Sequence, residues 1–182
     1  MAGRFAACTE AGVAYQKFGI DGAERFGHPL NSEGIPALER TAMSAEQIVR
    51  EYVKAINEQD ATRFAALFAV DAVLHDPFFP EPTRGRDAIQ SMQEGILRAF
   101  PNLSWKLVGD PIDAGARAAF VVSVEGTNHG PLAMPAGDVP PTGKTMAFET
   151  AVLWAIDSDG LIAEERSYFD ATGVAAQLGL TG

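Results

Sequence analysis

The sequence predicts an α+β domain in which helices come first, antiparallel strands follow, and a curved sheet wraps against the helices around an internal pocket. Three observations carry that expectation. Apolar residues recur at helical spacing in stretches between Ser44 and Phe100. From Leu103 to Phe169, four segments rich in β-branched and aromatic residues are separated by turn signals. Within them, Asp157-Ser158-Asp159-Gly160 reads as a hairpin turn that makes the last two strands antiparallel neighbours.

Residues 1–42 have neither helical nor strand periodicity and scatter Gly, Pro and charge, so they read as an extension to a domain spanning 43–182. Met43 is a candidate start of a shorter product. Ser44 can cap a helix with Gln47 three residues on, and Ile48, Val49, Tyr52, Val53 and Ile56 then share one face. A second, short helix is expected over Ala61 to Phe68 with Phe64, Leu67 and Phe68 inward. Ala72 to Asp76 follows as a strand halted by Pro77. Ile89, Met92, Ile96, Leu97 and Phe100 predict a helix from Asp87 to Phe100, in spite of the helix cost of Gly95. The strands are expected at Leu103 to Val108, Ala116 to Glu125, Thr145 to Ile156 and Leu161 to Phe169. A closing helix from Ala171 to Leu178 is capped by Gly179. Between strands, Thr127 to Gly143 holds four prolines and reads as a long loop, which in compact domains usually serves function. A plain surface excursion is the alternative.

The 182 residues are enough for one domain with a sizeable core. Hydrophobic residues make up 47% and charged ones 21%, far from the composition of disorder. A net charge of −10 without a Lys/Arg stripe argues against nucleic acid and anionic membranes as partners. The single cysteine, Cys8, excludes an internal disulfide and paired-thiolate zinc sites, and a cytoplasmic location is expected. There is no signal-length or membrane-length apolar run. No phosphate loop, dinucleotide fingerprint, serine elbow or metal-ligand spacing appears, so cofactor-free chemistry is expected.

Several residues are candidates for that chemistry. Asp76 ends an apolar strand in Val73-Leu74-His75-Asp76-Pro77-Phe78-Phe79, where desolvation would raise its pKa and suit it to accept a proton from carbon. Its simpler role is to open the turn before Pro77. Tyr52, on the buried helix face, needs an internal partner for its hydroxyl and could donate to an enolate oxygen, or merely to backbone. Asp170 precedes the last helix, where it is either an N-cap or a cavity carboxylate; counting in twos along the strand groups it with Ile162, Glu164, Arg166 and Tyr168. His75 and His129 are candidate proton shuttles, because imidazole as a group ionises near neutral pH. Alternation points His75 and Asp76 to opposite faces, which argues against a dyad, and His129 stands at the mouth of the Pro-rich loop.

Glu51-Tyr-Val-Lys-Ala-Ile-Asn-Glu-Gln-Asp60, with Phe68-Ala-Val-Asp-Ala-Val-Leu-His-Asp-Pro77 and Glu81-Pro-Thr-Arg-Gly85, resembles the opening half of ketosteroid isomerases. The resemblance implies a carbonyl-binding role for Tyr52 and a general-base role for Asp76. Near Val152 the isomerases carry a protonated Asp, and a valine cannot donate; Glu149 and Thr150 stand close in sequence. The second half is similar to SnoaL-like polyketide cyclases in Gly126-Thr127, Pro140-Pro-Thr-Gly-Lys144, Asp159-Gly160 and Tyr168-Phe-Asp-Ala-Thr-Gly-Val-Ala-Ala-Gln-Leu-Gly179. There the resemblance assigns the acid–base role in aldol ring closure to Asp170. Together these likenesses imply the cone-shaped NTF2-like (cystatin-like) fold and a homodimer.

The expected function is therefore an isomerase or aldol cyclase acting on a hydrophobic polycyclic or polyketide ketone. Asp76 or Asp170 would be the base, Tyr52 the enolate donor and His129 an assistant. His75, Phe78, Phe100, Trp105, Met134 and Trp154 are the expected substrate contacts, and no metal is expected. A dehydratase or other lyase of the same superfamily is the second reading, and a non-catalytic ligand-binding or dimerising module the third.

Overall fold

The computed structural model describes residues 43–134 and 137–180; the expectation for residues 1–42 lies outside them. Among the described residues, four helices pack against one seven-stranded, unclosed sheet. Helix α1, Ala45–Asn57, opens with the expected capping box: Ser44 Oγ accepts from the Gln47 N–H and Gln47 returns a bond to the Ser44 N–H. Its buried face is the one read from the sequence, Ile48, Val49, Tyr52, Val53 and Ile56. Helix α2 covers only Ala61–Ala65, because Phe68 leaves the helix and begins strand β1, Phe68–His75. The expected start at Ala72 was late because β1 shifts register between Phe68 and Val73, which breaks the alternation and turns Val70 outward.

Strand β2, Thr83–Arg84, and helix α3, Arg86–Ala99, follow. The remaining strands are β3, Ser104–Leu107; β4, Ile112–Asp113; β5, Arg117–Thr127; β6, Thr145–Ile156; and β7, Ile162–Tyr168. Helix α4, Ala171–Leu178, closes the domain with the predicted bounds, and Gly179 takes the left-handed conformation at φ +74. Strands β2 and β4 were not anticipated, being two residues each and too short to carry a period.

The sheet order is β2-β1-β7-β6-β5-β3, with β4 also pairing β5. Here one expectation is corrected: the sheet is mixed, since β1 runs parallel to β7 while the other pairs are antiparallel. The antiparallel core is a meander whose turns are local in sequence, whereas β1 reaches β7 across some ninety residues and no turn signal announces it.

The inner face of the sheet is filled unevenly. Beneath α1, the Tyr52 ring meets Phe64, Phe68, Trp105, Phe120 and Trp154 at centroid distances from 4.8 to 6.3 Å, a solid aromatic half-core. Beside α3 and α4 the packing opens. The long loop after β5 is tied down where it begins. Buried Asn128 donates to the Ala99 and Gly130 carbonyls and accepts from the Thr142 N–H at 2.7 Å. Leu132 and Val139 then pair in an isolated antiparallel bridge. On the other flank, the Gln177 side chain bonds both the N–H and the carbonyl of Ala147, docking α4 on β6.

Two glycines should respond oppositely to a methyl group. A Cβ at Gly130 would lie 2.2 Å from the Arg98 carbonyl oxygen, a fixed backbone atom, while one at Gly95 in α3 meets nothing within 4 Å. Gly130→Ala should destabilise the domain by about 1–3 kcal/mol, and Gly95→Ala should stabilise it by about 0.5–1 kcal/mol. Urea unfolding of both variants checks the pair, and equal effects would contradict the loop packing.

Candidate functional site

The uneven filling leaves a cavity of about 360 Å³ between the sheet, α3 and the long loop. Its walls are mostly apolar, with Phe78, Phe100, Phe148 and Phe169 among them and Met92, Met134 and Met146 as adaptable fillers. Asp76 is the sole ionisable side chain among the described lining residues; Thr83, Ser91, Thr150, Ser167 and Trp105 add neutral polar groups. The Thr150 hydroxyl is turned to the backbone carbonyls of Ala151 and Tyr168, at 3.4 Å each. The indole N–H of Trp105 is buried with no hydrogen-bond partner.

Asp76 both opens the turn and lies in the cavity wall. Its Oδ1 accepts the Phe78 N–H at 2.8 Å, the turn-opening role, and the same carboxyl group faces the cavity. Burial pushes its pKa up, and the Phe78 N–H opposes this only in part. His75, one residue earlier, points away and meets Glu164 Oε1 at 3.3 Å, so the two side chains form no dyad.

Of the other expected site residues, Phe78, Phe100, Trp105 and Met134 line the cavity. The rest do not. Asp170 is exposed, and its Oδ1 accepts the Gly173 N–H at 2.9 Å as the N-cap of α4. His129 is exposed and enters the loop through its backbone N–H, bonded to the Ala99 carbonyl. Tyr52 and Trp154 are buried behind the cavity wall rather than in it. Val152 is fully buried and apolar, while Glu149 is exposed on the opposite face of β6.

The sequence profile of the SnoaL-like domain family matches residues 49–165, well over half of the chain. This chain belongs to that family. A polyketide cyclase candidate from Pseudomonas putida is 25% identical, with a TM-score of 0.60, covering 74% of this chain and 98% of that one. A protein of ketosteroid isomerase-like fold from Catenulispora acidiphila is 20% identical, with a TM-score of 0.61 over 76% of this chain and 96% of its own. SalBIII, an epoxide hydrolase/cyclase-like enzyme of pyran ring formation in salinomycin, is 21% identical, with a TM-score of 0.57 over 70% and 91%. No curated protein matches. The architecture is accordingly the NTF2-like α+β cone. No described helix is long and apolar enough to cross a membrane, and the described residues contain no cluster of three metal-ligating side chains.

What the SnoaL-like domain adds to the expected site is Glu165. Only 2% exposed, it takes the Tyr52 hydroxyl on Oε1 and the Trp154 indole N–H on Oε2, both at 2.9 Å. Among the described residues no cation accompanies it. Desolvation raises its pKa from the ordinary 4.5 to about 7, against the opposing bonds from Trp154 and Tyr52, while the Asp76 charge pushes the same way as burial. In return, Tyr52 holds its proton well above the usual phenol range, first through burial and then through Glu165. Sequence reasoning placed Tyr52 correctly on a buried face that demanded a partner, and an acid on a facing strand was the signal left unread.

A folded-state pKa above the unfolded value means that the folded protein holds the proton more tightly. Glu165 therefore favours folding fully below about pH 4.5, and that contribution is lost as pH rises to about 7. The loss is on the order of 3 kcal/mol, and Asp76 adds to it in the same direction. Glu165→Gln fits the same cage, since its carbonyl can accept from Trp154 and its amide can donate to Tyr52. Denaturation at pH 5 and pH 8 should show a marked fall in wild-type stability and a much smaller one in the variant, which should be the more stable protein at pH 8. A variant that loses stability at both values would contradict the neutral, caged carboxyl.

Proposed function

We propose that this SnoaL-like domain is an acid–base enzyme that isomerises an apolar ketone or closes it by an intramolecular aldol step, with Asp76 as the base. The observation that carries this reading is the lone carboxylate, desolvated and set in the wall of an otherwise apolar cavity. A hydrophobic substrate finds its affinity in the phenylalanine and methionine walls and its orientation in the few polar groups near Asp76.

The step balances without an oxidant or reductant. Asp76 removes a proton from the carbon beside the carbonyl, and the electron pair of that C–H bond moves onto the carbonyl oxygen as an enolate. The enolate then takes the proton back from Asp76 at a different carbon, or its carbon attacks a second carbonyl in the same molecule, whose oxygen becomes an alkoxide and takes the proton from Asp76, restoring the carboxylate. The Ser167 hydroxyl is one of the neutral polar groups on the cavity wall that could donate to the enolate oxygen, the place that the resemblance had assigned to Tyr52.

Asp76→Asn should lower turnover of an enone or diketone substrate by about 10²- to 10⁴-fold, with a far smaller change in KM and an unchanged fold by circular dichroism. Product mass separates the reactions: isomerisation and aldol closure conserve it, and dehydration removes one water. Undiminished turnover in Asp76→Asn would discard the scheme.

A further inference from the structure

The chain has two tryptophans, and their indole nitrogens are placed differently. Trp154 gives its indole N–H to Glu165 at 2.9 Å. The Trp105 indole N–H is buried without a partner among the described residues, although its ring stands in the cavity wall. An indole can only donate, so a buried one with no acceptor loses its bond to water and gains nothing in exchange. Loose packing does not account for this. The backbone of Trp105 is held from both sides: β5 lies on one, with Val124 opposite. On the other stands Asn57, the last residue of α1, whose Oδ1 accepts the backbone N–H at 2.8 Å and whose Nδ2 donates to the backbone carbonyl at 2.9 Å. Tyr52, from the same helix, meets the indole ring edge-on at a centroid distance of 5.7 Å. Helix α1 thus fixes both the backbone and the ring, and the wall nearby in the chain and sheet, Phe100, Leu103 and Val124, offers only hydrocarbon side chains.

A donor held in place with no protein acceptor is open to an acceptor that the ligand brings. We propose that Trp105 determines specificity: its indole N–H anchors a hydrogen-bond acceptor at the end of the substrate remote from the carbon that Asp76 deprotonates. The proposal rests on the acid–base reading above, which sets one end of the ligand at Asp76. Asp76 follows β1 and Trp105 belongs to β3, with β7, β6 and β5 between them, so four strand spacings of about 4.8 Å separate the two along the sheet. The oxygen of the reacting carbonyl is only two bonds from the carbon that loses its proton, too near Asp76 to serve Trp105 as well. The substrate class narrows accordingly to an elongated apolar ketone with a second oxygen, as carbonyl, hydroxyl or ether, at its far end. A ketone lacking that oxygen would leave the indole N–H unpaired, and so be bound less well.

The test uses the full chain and two rigid ligands of the same shape. One is diacetylnaphthalene, substituted at opposite ends of its long axis, and the other has isopropyl in place of one acetyl group. Each offers an acetyl group to Asp76, and only the diketone carries an oxygen at the other end. Affinities are measured by calorimetry in the wild-type protein and in Trp105→Phe, so that differences in ligand hydrophobicity and any loosening of the wall cancel. The preference for the diketone should be roughly three- to tenfold greater in the wild type, the worth of one hydrogen bond. In a proton–nitrogen correlation spectrum, one indole proton should move downfield with the diketone and not with the isopropyl ketone, and the signal missing from Trp105→Phe identifies it. Should that variant fail to fold, the wild-type spectrum decides alone. An equal preference in both proteins, or indole signals that respond alike to both ligands, would overturn the anchor. Exchange of the acetyl methyl protons in heavy water reports on the base separately. Exchange without the preference would keep Asp76 as the base and remove the anchor. The preference without exchange would remove Asp76 as the base and leave the Trp105 anchor standing.

Discussion

A carboxyl group sunk in the protein without a cation is the constraint around which this domain is arranged. Removing an isolated carboxylate from water costs many kcal/mol unless donors surround it or it takes up a proton, and Glu165 does some of each. The two donors come from opposite sides, Tyr52 from α1 and Trp154 from β6, so satisfying Glu165 fixes both the rotation of α1 and its height above the sheet. The aromatic residues around Tyr52 fill that half of the inner face and leave no room for a ligand. The hollow is therefore displaced toward α3 and the long loop, and Glu165 sits where the filled half meets the open one. Such a group is a poor stabiliser, because a well-packed apolar side chain would avoid its desolvation cost.

Local signals made much of the fold legible. The Ser44–Gln47 capping box, the α1 apolar face, the 157–160 turn and the bounds of α4 each depend on residues within one or two turns of one another, and each is found as the sequence indicates. The parallel pairing of β1 with β7 was not legible, since nothing near either strand encodes a partner so distant in the chain. The register shift inside β1 hid its first half for a related reason: alternation is a readable signal only while the ladder is regular.

The same effect concealed Glu165. Counting in twos from buried Ile162 leads to Glu164, Arg166, Tyr168 and Asp170, all of which the structure places on the outer side or in solvent. A register shift between Ala155 and Ile156 changes the parity of the facing ladder: Ile156 pairs with Ile162, but Ala155 pairs with Glu164. Both Ile162 and Glu165 are thereby buried, three positions apart, and the inward row continues through Ser167 and Phe169. A single irregularity in the turn-proximal pairing moved an acid from the expected solvent face into the core.

Asp76 and Asp170 make the complementary point about what sequence can say of a carboxylate. Each ends a strand, and each accepts a backbone N–H a short distance ahead, Asp76 from Phe78 and Asp170 from Gly173. Locally the two are near equivalents, and either was a reasonable candidate for the base. Tertiary packing separates them. Phe78, Phe148 and Phe169 crowd together at the end of the cavity that holds Asp76, so that its charge meets hydrocarbon rather than water. Asp170 stands exposed at the N-terminus of α4, outside the cavity, where its carboxylate caps the helix through the Gly173 N–H. Under the function proposed above, the base for a carbon acid needs a raised affinity for a proton, and at Asp76 burial among phenylalanines from β6, the β7–α4 junction and the loop after β1 supplies it. On that proposal the aromatic wall is part of the catalytic equipment and not only a surface for a greasy substrate to rest on.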